Sequence, residues 1–334
     1  IPSDAKYQTL VQQIGDRFRA GRAAAATSVN RELLLTYWEI GRYIVEYLQD
    51  GKERAKYGKQ LLRLLSKDLS DTIGKGFSSD NLEKMRRFYQ YYPISETLSR
   101  KLSWSHYFEL LKIENDNKRA FYEKQCANER WSVRQLKRQK TSGLYERLAR
   151  SKNKDELLEL ANKGQTVARP EDLIREPYVL DFLNLPTAGR TKESDLEQRL
   201  IDHLQLFMLE LGKGYAFVGR QYRITIGDDH YYVDLVFYHF ILKCFVLIDL
   251  KTRKANAGDV GQMNMYLSYF ASEESREDDN PPVGIVLAPK QNEQTIQFAL
   301  QGIPNQLLVS RYQTYLPLEE ELRKEMERVM KEEE

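Results

Sequence analysis

Apolar residues in the first half of the chain recur at intervals of three and four. Residues 28–51 read SVNRELLLTYWEIGRYIVEYLQDG, where the apolar positions include Leu33, Tyr37, Ile40 and Ile44. This spacing places them on one face of an α-helix, and Gly51 is the expected C-cap. Similar patterns continue along the following segments, so the sequence predicts an all-helical domain over residues 1–165.

A short glycine turn separates two of the predicted helices. Residues 57–93 read YGKQLLRLLSKDLSDTIGKGFSSDNLEKMRRFYQYYP, with Gly74 and Gly76 in the turn and Ser78 or Ser79 as the next cap. Helix, short turn and helix form the layout of a helix-turn-helix. This helix and a later one have basic residues that we expect to face outward and to follow phosphates, namely Lys84, Arg86, Arg87, Arg134, Lys137 and Arg138.

The second half has a different pattern. Residues 166–190 contain three prolines and read as a connector that docks partly through Tyr178, Leu180, Phe182 and Leu183. Residues 191–316 give a helix, three strand-like runs, a helix and further strands. The order αβββαβ predicts a mixed sheet with helices on its faces, in an α+β or α/β fold. Residues 317–334 predict a charged helix that could pack on a neighbour or on a second copy.

The charge is distributed unevenly between the two halves. Residues 1–165 contain 32 Lys and Arg against 21 Asp and Glu, whereas the remainder contains 19 against 28. A basic half favours contact with a polyanion such as nucleic acid. A helical domain with solvated basic side chains would have the same composition.

Several classes of protein are disfavoured. No run approaches the roughly 18 consecutive apolar residues of a membrane helix, and the first residues lack the order of a signal peptide. The two cysteines, Cys126 and Cys244, support neither a disulfide framework nor a cysteine zinc site. The four histidines have no zinc-like spacing. We therefore expect a cytoplasmic protein without membrane association.

Two carboxylates and a lysine interrupt the apolar strands of YYVDLVFYHFILKCFVLIDLKTRK, residues 231–254. A turn centred between Ile241 and Leu242 would pair residue i with residue 483 − i, which places Asp234 opposite Asp249. Cross-strand neighbours lie about 5 Å apart at Cβ, so the two carboxylates would repel each other unless a cation lies between them. Lys251 would lie on the same face as Asp249.

A divalent metal ion would satisfy this arrangement. Mg²⁺ takes one or two protein carboxylates and keeps waters or phosphate oxygens as its other ligands, and it can activate water and polarise a phosphodiester. The alternative is structural: a salt bridge between Asp249 and Lys251, with Asp234 meeting Arg223 or Arg253.

An Asp in one strand followed by D-L-K at the end of the next resembles the PD-(D/E)XK nuclease superfamily. The resemblance implies a restriction-endonuclease-like fold, in which Asp234 and Asp249 bind metal and Lys251 acts in catalysis. Glu197 matches the helix glutamate that often completes such a site, with Glu193 as second choice. Gln262 and Tyr266 match the Q-x-x-x-Y element of the RecB-like branch, where they would orient Lys251 or hold a phosphate.

The chain also resembles bacterial YhcG-like proteins over nearly its whole length, through stretches such as VNRELLLTYWEIGRYI, GFSSDNLEKMRRFY and GYAFVGRQYRI. The resemblance implies a helical domain joined to a nuclease domain and association with nucleic acid, for which we expect DNA in preference to RNA and keep RNA as an alternative substrate. We expect a Mg²⁺- or Mn²⁺-dependent nuclease, with Gln221 and Arg223 as further candidates for phosphate contact, and a homo-oligomer or protein partner remains open. The alternative is a catalytically silent DNA-binding or assembly module.

Overall fold

The computed structural model describes residues 29–48, 58–92, 99, 101–149, 154–185 and 192–317. The chain divides into two compact units, Ile1–Lys137 and Arg138–Glu334. The division therefore falls inside the segment that the sequence assigns to the helical domain. Of the charged helix predicted over residues 317–334, residues 318–334 lie outside the described residues.

The first unit is helical, as predicted. Its helices are α1 (29–48), α2 (Gly58–Thr72), α3 (Ser79–Tyr91), α4 (Trp104–Leu110), α5 (Asp116–Glu129) and the start of α6 (Val133–Thr141). No helix among the described residues is long and apolar enough to cross a membrane.

The predicted glycine turn separates α2 from α3. Gly74 and Gly76 have φ angles of 114° and 119°, which residues with a side chain rarely adopt. Ser78 then caps α3, because its hydroxyl accepts a hydrogen bond from the Asn81 N–H at 3.2 Å. Helices α2 and α3 thus flank the glycine turn at the positions expected from the sequence, and a helix-turn-helix that binds DNA stays a prediction.

Close packing joins α1 to α3. A Cβ atom on Gly41 would come within 2.0 Å of the Met85 carbonyl oxygen, so only glycine permits this approach. Ile44, Leu62, Leu82 and Met85 form a buried cluster at this contact. The apolar stripe that predicted the helices is therefore the core of this unit.

The second unit is built on a six-stranded sheet in the order β1-β6-β5-β4-β3-β2. The strands are β1 (Tyr178–Val179), β2 (Tyr215–Ile226), β3 (Asp229–His239), β4 (Cys244–Leu250), β5 (Val283–Ala288) and β6 (Gln306–Gln313). Strands β2, β3 and β4 are antiparallel, and β4, β5, β6 and β1 are parallel. The mixed sheet is confirmed.

Helices cover both faces of this sheet. The helices of this unit are the end of α6, α7 (Leu144–Ala149), α8 (Lys154–Lys163), α9 (Glu193–Asp202), α10 (Leu204–Leu211), α11 (Ala257–Tyr269) and α12 (Glu293–Leu300), of which α9 to α12 pack on the sheet. One buried cluster joins residues of α9 and α10 to one face of the sheet, and another joins residues of α11 and α12 to the opposite face. Alternate residues of β4 therefore enter different cores.

The predicted connector contributes the edge strand β1. Tyr178, Leu180, Phe182 and Leu183 are buried, as expected from the sequence. Tyr178 and Val179 also pair with β6, which the sequence pattern did not predict. Two residues are too short to show a strand periodicity.

Tight turns set the register of the three antiparallel strands. Gly227, at φ 60°, occupies a two-residue turn between β2 and β3. In the next hairpin, His239 pairs with Cys244 and Leu235 with Ile248, which is the register predicted from the sequence. The next pair in this register is Asp234 and Asp249.

Candidate active site

Two neighbouring strands bring the candidate carboxylates together. Asp234 lies on β3 and Asp249 lies on β4, one step beyond the last paired residues of the ladder. In the register of this ladder the two residues face each other across the strands, and Asp234 Oδ2 accepts a hydrogen bond from the Leu250 N–H at 2.7 Å. The predicted closeness of these two groups is therefore present in the structure.

The electrostatic environment disfavours ionisation of both carboxyls. Burial raises the pKa of Asp249, which is 2% exposed, and the neighbouring Asp234 raises it further. Lys251 opposes both effects without cancelling them. Burial also raises the pKa of Asp234. Two adjacent carboxyls with raised pKa values form a site that would gain strongly from an added cation.

Lys251 is the first residue after β4, at the carboxyl end of this strand. Its Nζ lies 2.7 Å from Asp249 Oδ2. Burial alone would lower the pKa of Lys251, but contact with Asp249 and the charges of Glu193 and Asp234 together raise it above its ordinary value. The backbone of Lys251 is fixed because its N–H donates to the Leu287 carbonyl at 2.8 Å and its carbonyl accepts from the Tyr312 hydroxyl at 3.1 Å.

Helix α9 adds Glu197, the sequence's first choice for the helix carboxylate. Glu197 is buried, and Gln221 Nε2 donates to its Oε2 at 2.7 Å. The same Nε2 atom donates to Asp234 Oδ1 at 3.1 Å. Burial raises the pKa of Glu197, and the nearby Asp234 adds to the increase. Glu193, the second choice, instead accepts a hydrogen bond from the Thr252 N–H at 3.3 Å.

The Q-x-x-x-Y pair lies on one face of α11, as its spacing predicts. Gln262 donates to the Tyr266 hydroxyl at 2.5 Å. Tyr266 is buried in the core beneath the sheet. Burial raises the pKa of Tyr266, and the charges of Asp249 and Asp234 raise it further. The hydroxyl group therefore lies in the electrostatic field of the two carboxylates.

An ion pair that sequence reasoning missed fixes the loop after Lys251. The Arg253 guanidinium binds both oxygens of Asp259, at 2.8 and 2.6 Å. Asp259 also caps α11 by accepting from the Asn256 N–H at 2.9 Å, in a reciprocal capping box with Asn256. The stretch N-A-G-D has the Asn and Asp spacing of such a box, so the helix start could have been identified.

The basic residues expected to contact phosphate differ in their environments. In the first unit, Lys84, Arg86 and Arg87 are half-buried and bind Asp80, Glu83 and Tyr91 on their own helix. These partners lie at i ± 3 or 4 on the helix surface, and phosphate contact by the three residues stays a prediction. Lys137 pairs with Glu109 at 3.4 Å, while Arg134 is exposed.

In the second unit, Arg138 and Arg223 also have partners. Arg138 binds the Asp181 carboxylate and the Val179 carbonyl, so its guanidinium serves a structural contact. Arg223 is exposed and lies 3.0 Å from the ring of His230. Of the two strand residues proposed for phosphate contact, Gln221 contacts the carboxylates and Arg223 extends along the exposed part of the hairpin.

The structural alternative expected for these residues is present in part. The Asp249–Lys251 ion pair exists. However, Asp234 contacts Gln221 and the Leu250 N–H, and Arg253 is held by Asp259. The alternative therefore accounts for the Asp249–Lys251 pair and does not account for the position of Asp234 next to Asp249.

The donor atoms suit a hard divalent ion. Carboxylate oxygens are the preferred protein ligands of Mg²⁺ and Mn²⁺. Asp249 Oδ2 is buried, and its contact with Lys251 is an ion pair at 2.7 Å. Within the part of the chain that the structure describes, no three His, Cys, Asp or Glu side chains converge as a complete metal cluster. The site thus offers a carboxylate pair, with Glu197 held beside it through Gln221.

Comparison with known proteins identifies the family and agrees with the fold. Residues 171–327 match the family model of the YhcG PDDEXK nuclease domain, and residues 13–147 match the DUF1016 N-terminal domain. The chain is 40% identical, over 97% of its length and 94% of the relative's, to YhcG of Escherichia coli (strain K12), which is named a candidate nuclease. The chain therefore belongs to the YhcG family of PDDEXK nuclease-domain proteins.

Solved structures show more distant likeness. A repair endonuclease from Pyrococcus abyssi is 18% identical at a TM-score of 0.29, over 39% of this chain and 50% of that one. An EndoMS–dsDNA complex is 17% identical at a TM-score of 0.29, over 40% of this chain and 48% of that one. This chain thus spans about half the length of these structures. The restriction-endonuclease-like fold of the second unit follows from its αβββαβ order and the family model.

Proposed function

We propose that this protein is a metal-dependent nuclease that hydrolyses phosphodiester bonds in DNA. The observation that carries the proposal is the meeting of Asp234, Asp249 and Lys251 on the neighbouring strands β3 and β4 inside one sheet. Placing the two carboxyls together in a buried site is costly for stability. A reaction that uses a bound cation and a phosphate would account for this arrangement. Membership of the YhcG nuclease family supports the same reaction class.

Asp234 and Asp249 would hold the metal, with Glu197 contributing directly or through a water. A divalent ion bound there would supply Lewis-acid stabilisation of the phosphate and a water of lowered pKa. Lys251 would donate hydrogen bonds to the developing negative charge. Its ammonium is well placed for that role because its backbone is fixed on both sides.

Gln262 and Tyr266 would support Asp234, Asp249 and Lys251 from the buried side of the site. Because Tyr266 is buried, we assign the pair to positioning Lys251 and the carboxylates rather than to contact with an exposed phosphate. With the charge of Asp249 balanced by a bound metal ion, the Lys251 ammonium would be able to bind a phosphate oxygen in place of this carboxylate.

The substrate proposal rests on charge. The first half of the chain has 32 basic against 21 acidic residues, and a positively charged surface concentrates nucleic acid near the site. We propose that this helical half binds DNA and directs the nuclease domain to it. RNA has the same phosphate charge, so the substrate test must include it.

The test is cleavage of single-stranded, double-stranded and branched DNA and of RNA, with Mg²⁺ or Mn²⁺ and with EDTA. Lys251→Ala should reduce the cleavage rate at least about 100-fold, as expected for a side chain that stabilises transition-state charge, while DNA affinity is retained. Lys254→Ala is the matched control, because Lys254 is exposed on the same loop.

Equal cleavage by Lys251→Ala and the intact protein would contradict the catalytic assignment. DNA binding without cleavage of any substrate, unaffected by Asp249→Ala, would instead support the alternative of a nuclease fold that serves as a binding or assembly module. Preferential cleavage of RNA would retain the nuclease and change its substrate.

A further inference from the structure

Gln221 stands between two acidic groups of the candidate site. Its Nε2 lies 2.7 Å from Glu197 Oε2 and 3.1 Å from Asp234 Oδ1. Both partners are acceptors when ionised, so the amide must present its NH₂ group to them. Glu197 comes from α9 and Asp234 from β3, so this one amide links two elements of the unit.

The backbone of Gln221 is also unusual. Its φ angle is +44°, a left-handed value in the middle of strand β2, and residues with a side chain rarely adopt it. The β2–β3 ladder pairs the residues on both sides of Gln221 with those on both sides of Asp234, and skips this one pair. Such a local departure costs free energy and is found most often at functional sites.

The two observations have one explanation. The strained backbone directs the amide toward the carboxylates, where its NH₂ group partly offsets their repulsion. A divalent ion shared by the same two oxygens would offset that repulsion more strongly, because it carries a full double charge. The amide and the ion would therefore compete for the same pair of carboxylate oxygens.

We propose that Gln221 takes the place of a bound divalent ion in the metal-free protein, holding Glu197 and Asp234 together and releasing them when the ion binds. This inference rests on the metal-dependent function proposed above. It also explains why Glu197, Asp234 and Asp249 do not converge as one cluster, since the amide lies between two of them. Gln221 is thus a positioning residue that maintains the site before metal binding.

Thermodynamic linkage gives the sign of the expected effect. If the two amide hydrogen bonds exist only in the metal-free state, removing them destabilises that state and leaves the metal-bound state unchanged. The metal affinity must then increase by the same free energy. A residue that served the metal-bound state, as a ligand or orienting group, would have the opposite effect when removed.

The decisive experiment is calorimetric titration of the full chain with Mn²⁺ in the absence of nucleic acid. Gln221→Met keeps the length of the side chain and the same backbone restriction but removes the amide. Its Mn²⁺ dissociation constant should fall about three- to tenfold, a modest gain because the amide is partly solvated. Its melting temperature in EDTA should fall, and this difference should disappear at saturating Mn²⁺.

Two further variants make the outcome interpretable. Gln198→Met is the matched control, because Gln198 is an exposed glutamine of α9 that binds Asp202 and Arg220 rather than the site carboxylates. It should leave Mn²⁺ affinity unchanged. Asp249→Asn should abolish Mn²⁺ binding and thereby tests the metal site itself.

The failures of the two proposals can be distinguished. Mn²⁺ binding that requires Asp249 but is weakened or unchanged in Gln221→Met would overturn the exchange and leave the metal site intact. No Mn²⁺ binding by the unaltered protein would overturn the metal site and the exchange together.

Discussion

At the scale of single residues, the second unit contains a buried ion pair remote in sequence from the candidate catalytic residues. Glu210 is 2% exposed and binds Arg147 through both oxygens, and it accepts from the Val179 N–H at 2.9 Å. Burial would raise the pKa of Glu210, but Arg147 and Arg175 outweigh burial and lower it. The carboxylate is therefore ionised in the folded protein and holds α10 to α7 and β1.

We expect Glu210→Gln to destabilise the second unit by about 3–5 kcal/mol, because two buried guanidinium groups lose their counter-charge. Urea unfolding followed by circular dichroism would measure this. Glu159→Gln is the control, since the exposed Glu159–Lys163 pair contributes about 0–1 kcal/mol. A loss for Glu210→Gln no larger than the control's would contradict the structural role.

The same pair predicts a pH dependence. A carboxyl whose folded pKa is lowered stabilises the fold fully above its unfolded pKa, about 4.3 for Glu, and this stabilisation is lost as pH falls through the folded value. The stability difference between the intact protein and Glu210→Gln should therefore be largest near neutral pH and decrease below about pH 4.3. A difference that stays constant down to the acid transition would contradict the lowered pKa.

At the scale of elements, close contact between α11 and β5 sets the position of Gln262 and Tyr266. A Cβ atom on Gly284 of β5 would come within 2.6 Å of Met263 Cγ and 2.8 Å of its Sδ. Met263 is fully buried, so it has little room to move. By contrast, a Cβ on Gly261 of α11 would meet nothing within 4 Å.

These two glycines form a matched test. Gly284→Ala should destabilise the second unit by about 1–3 kcal/mol through overpacking, whereas Gly261→Ala should stabilise it by about 0.5–1 kcal/mol because alanine favours the helix. Differential scanning calorimetry of both variants would show the opposite signs. Equal shifts in the same direction would mean that α11 does not pack on β5 as described.

The sequence predicted the elements where local rules decide the structure. The apolar periodicities predicted the helices and strands, and the hairpin turn centred between Ile241 and Leu242 predicted the register that places Asp234 opposite Asp249. It could not predict β1, which has two residues and forms only because β6 offers a parallel partner. Nor could it predict the φ angle of Gln221, since that conformation depends on carboxylates supplied by α9 and β3.

Contacts between residues far apart in sequence also determine which charged side chains can bind a ligand. Arg138 and Asp181 lie 43 residues apart in sequence, so a local pattern of basic residues cannot reveal that the arginine is already paired. Arg253 was considered as a partner of Asp234, and the structure joins it to Asp259 instead. The sequence predicted where charge is concentrated, while the fold determined which of those charges are engaged.

At the scale of the whole molecule, the proposed DNA association depends on the excess of positive charge in the first half. Arg134 is exposed, whereas Arg138 binds Asp181. Arg134→Ala should weaken DNA binding across all sequences and reduce the slope of log affinity against log salt by about one. Arg138→Ala should change that slope less. Fluorescence anisotropy at several salt concentrations would measure both, and equal slopes for Arg134→Ala and the intact protein would exclude Arg134 from phosphate contact.

The central claim is that the carboxylate pair makes this protein a metal-dependent nuclease. Its most direct test is the initial rate of DNA cleavage as Mg²⁺ is titrated, compared between the intact protein, Asp249→Asn and the control Asp228→Asn, whose side chain is exposed in the β2–β3 turn. We predict saturable, Mg²⁺-dependent cleavage for the intact protein and for Asp228→Asn, and none above background for Asp249→Asn. Cleavage that persists in Asp249→Asn, or that does not depend on a divalent ion, would contradict the account.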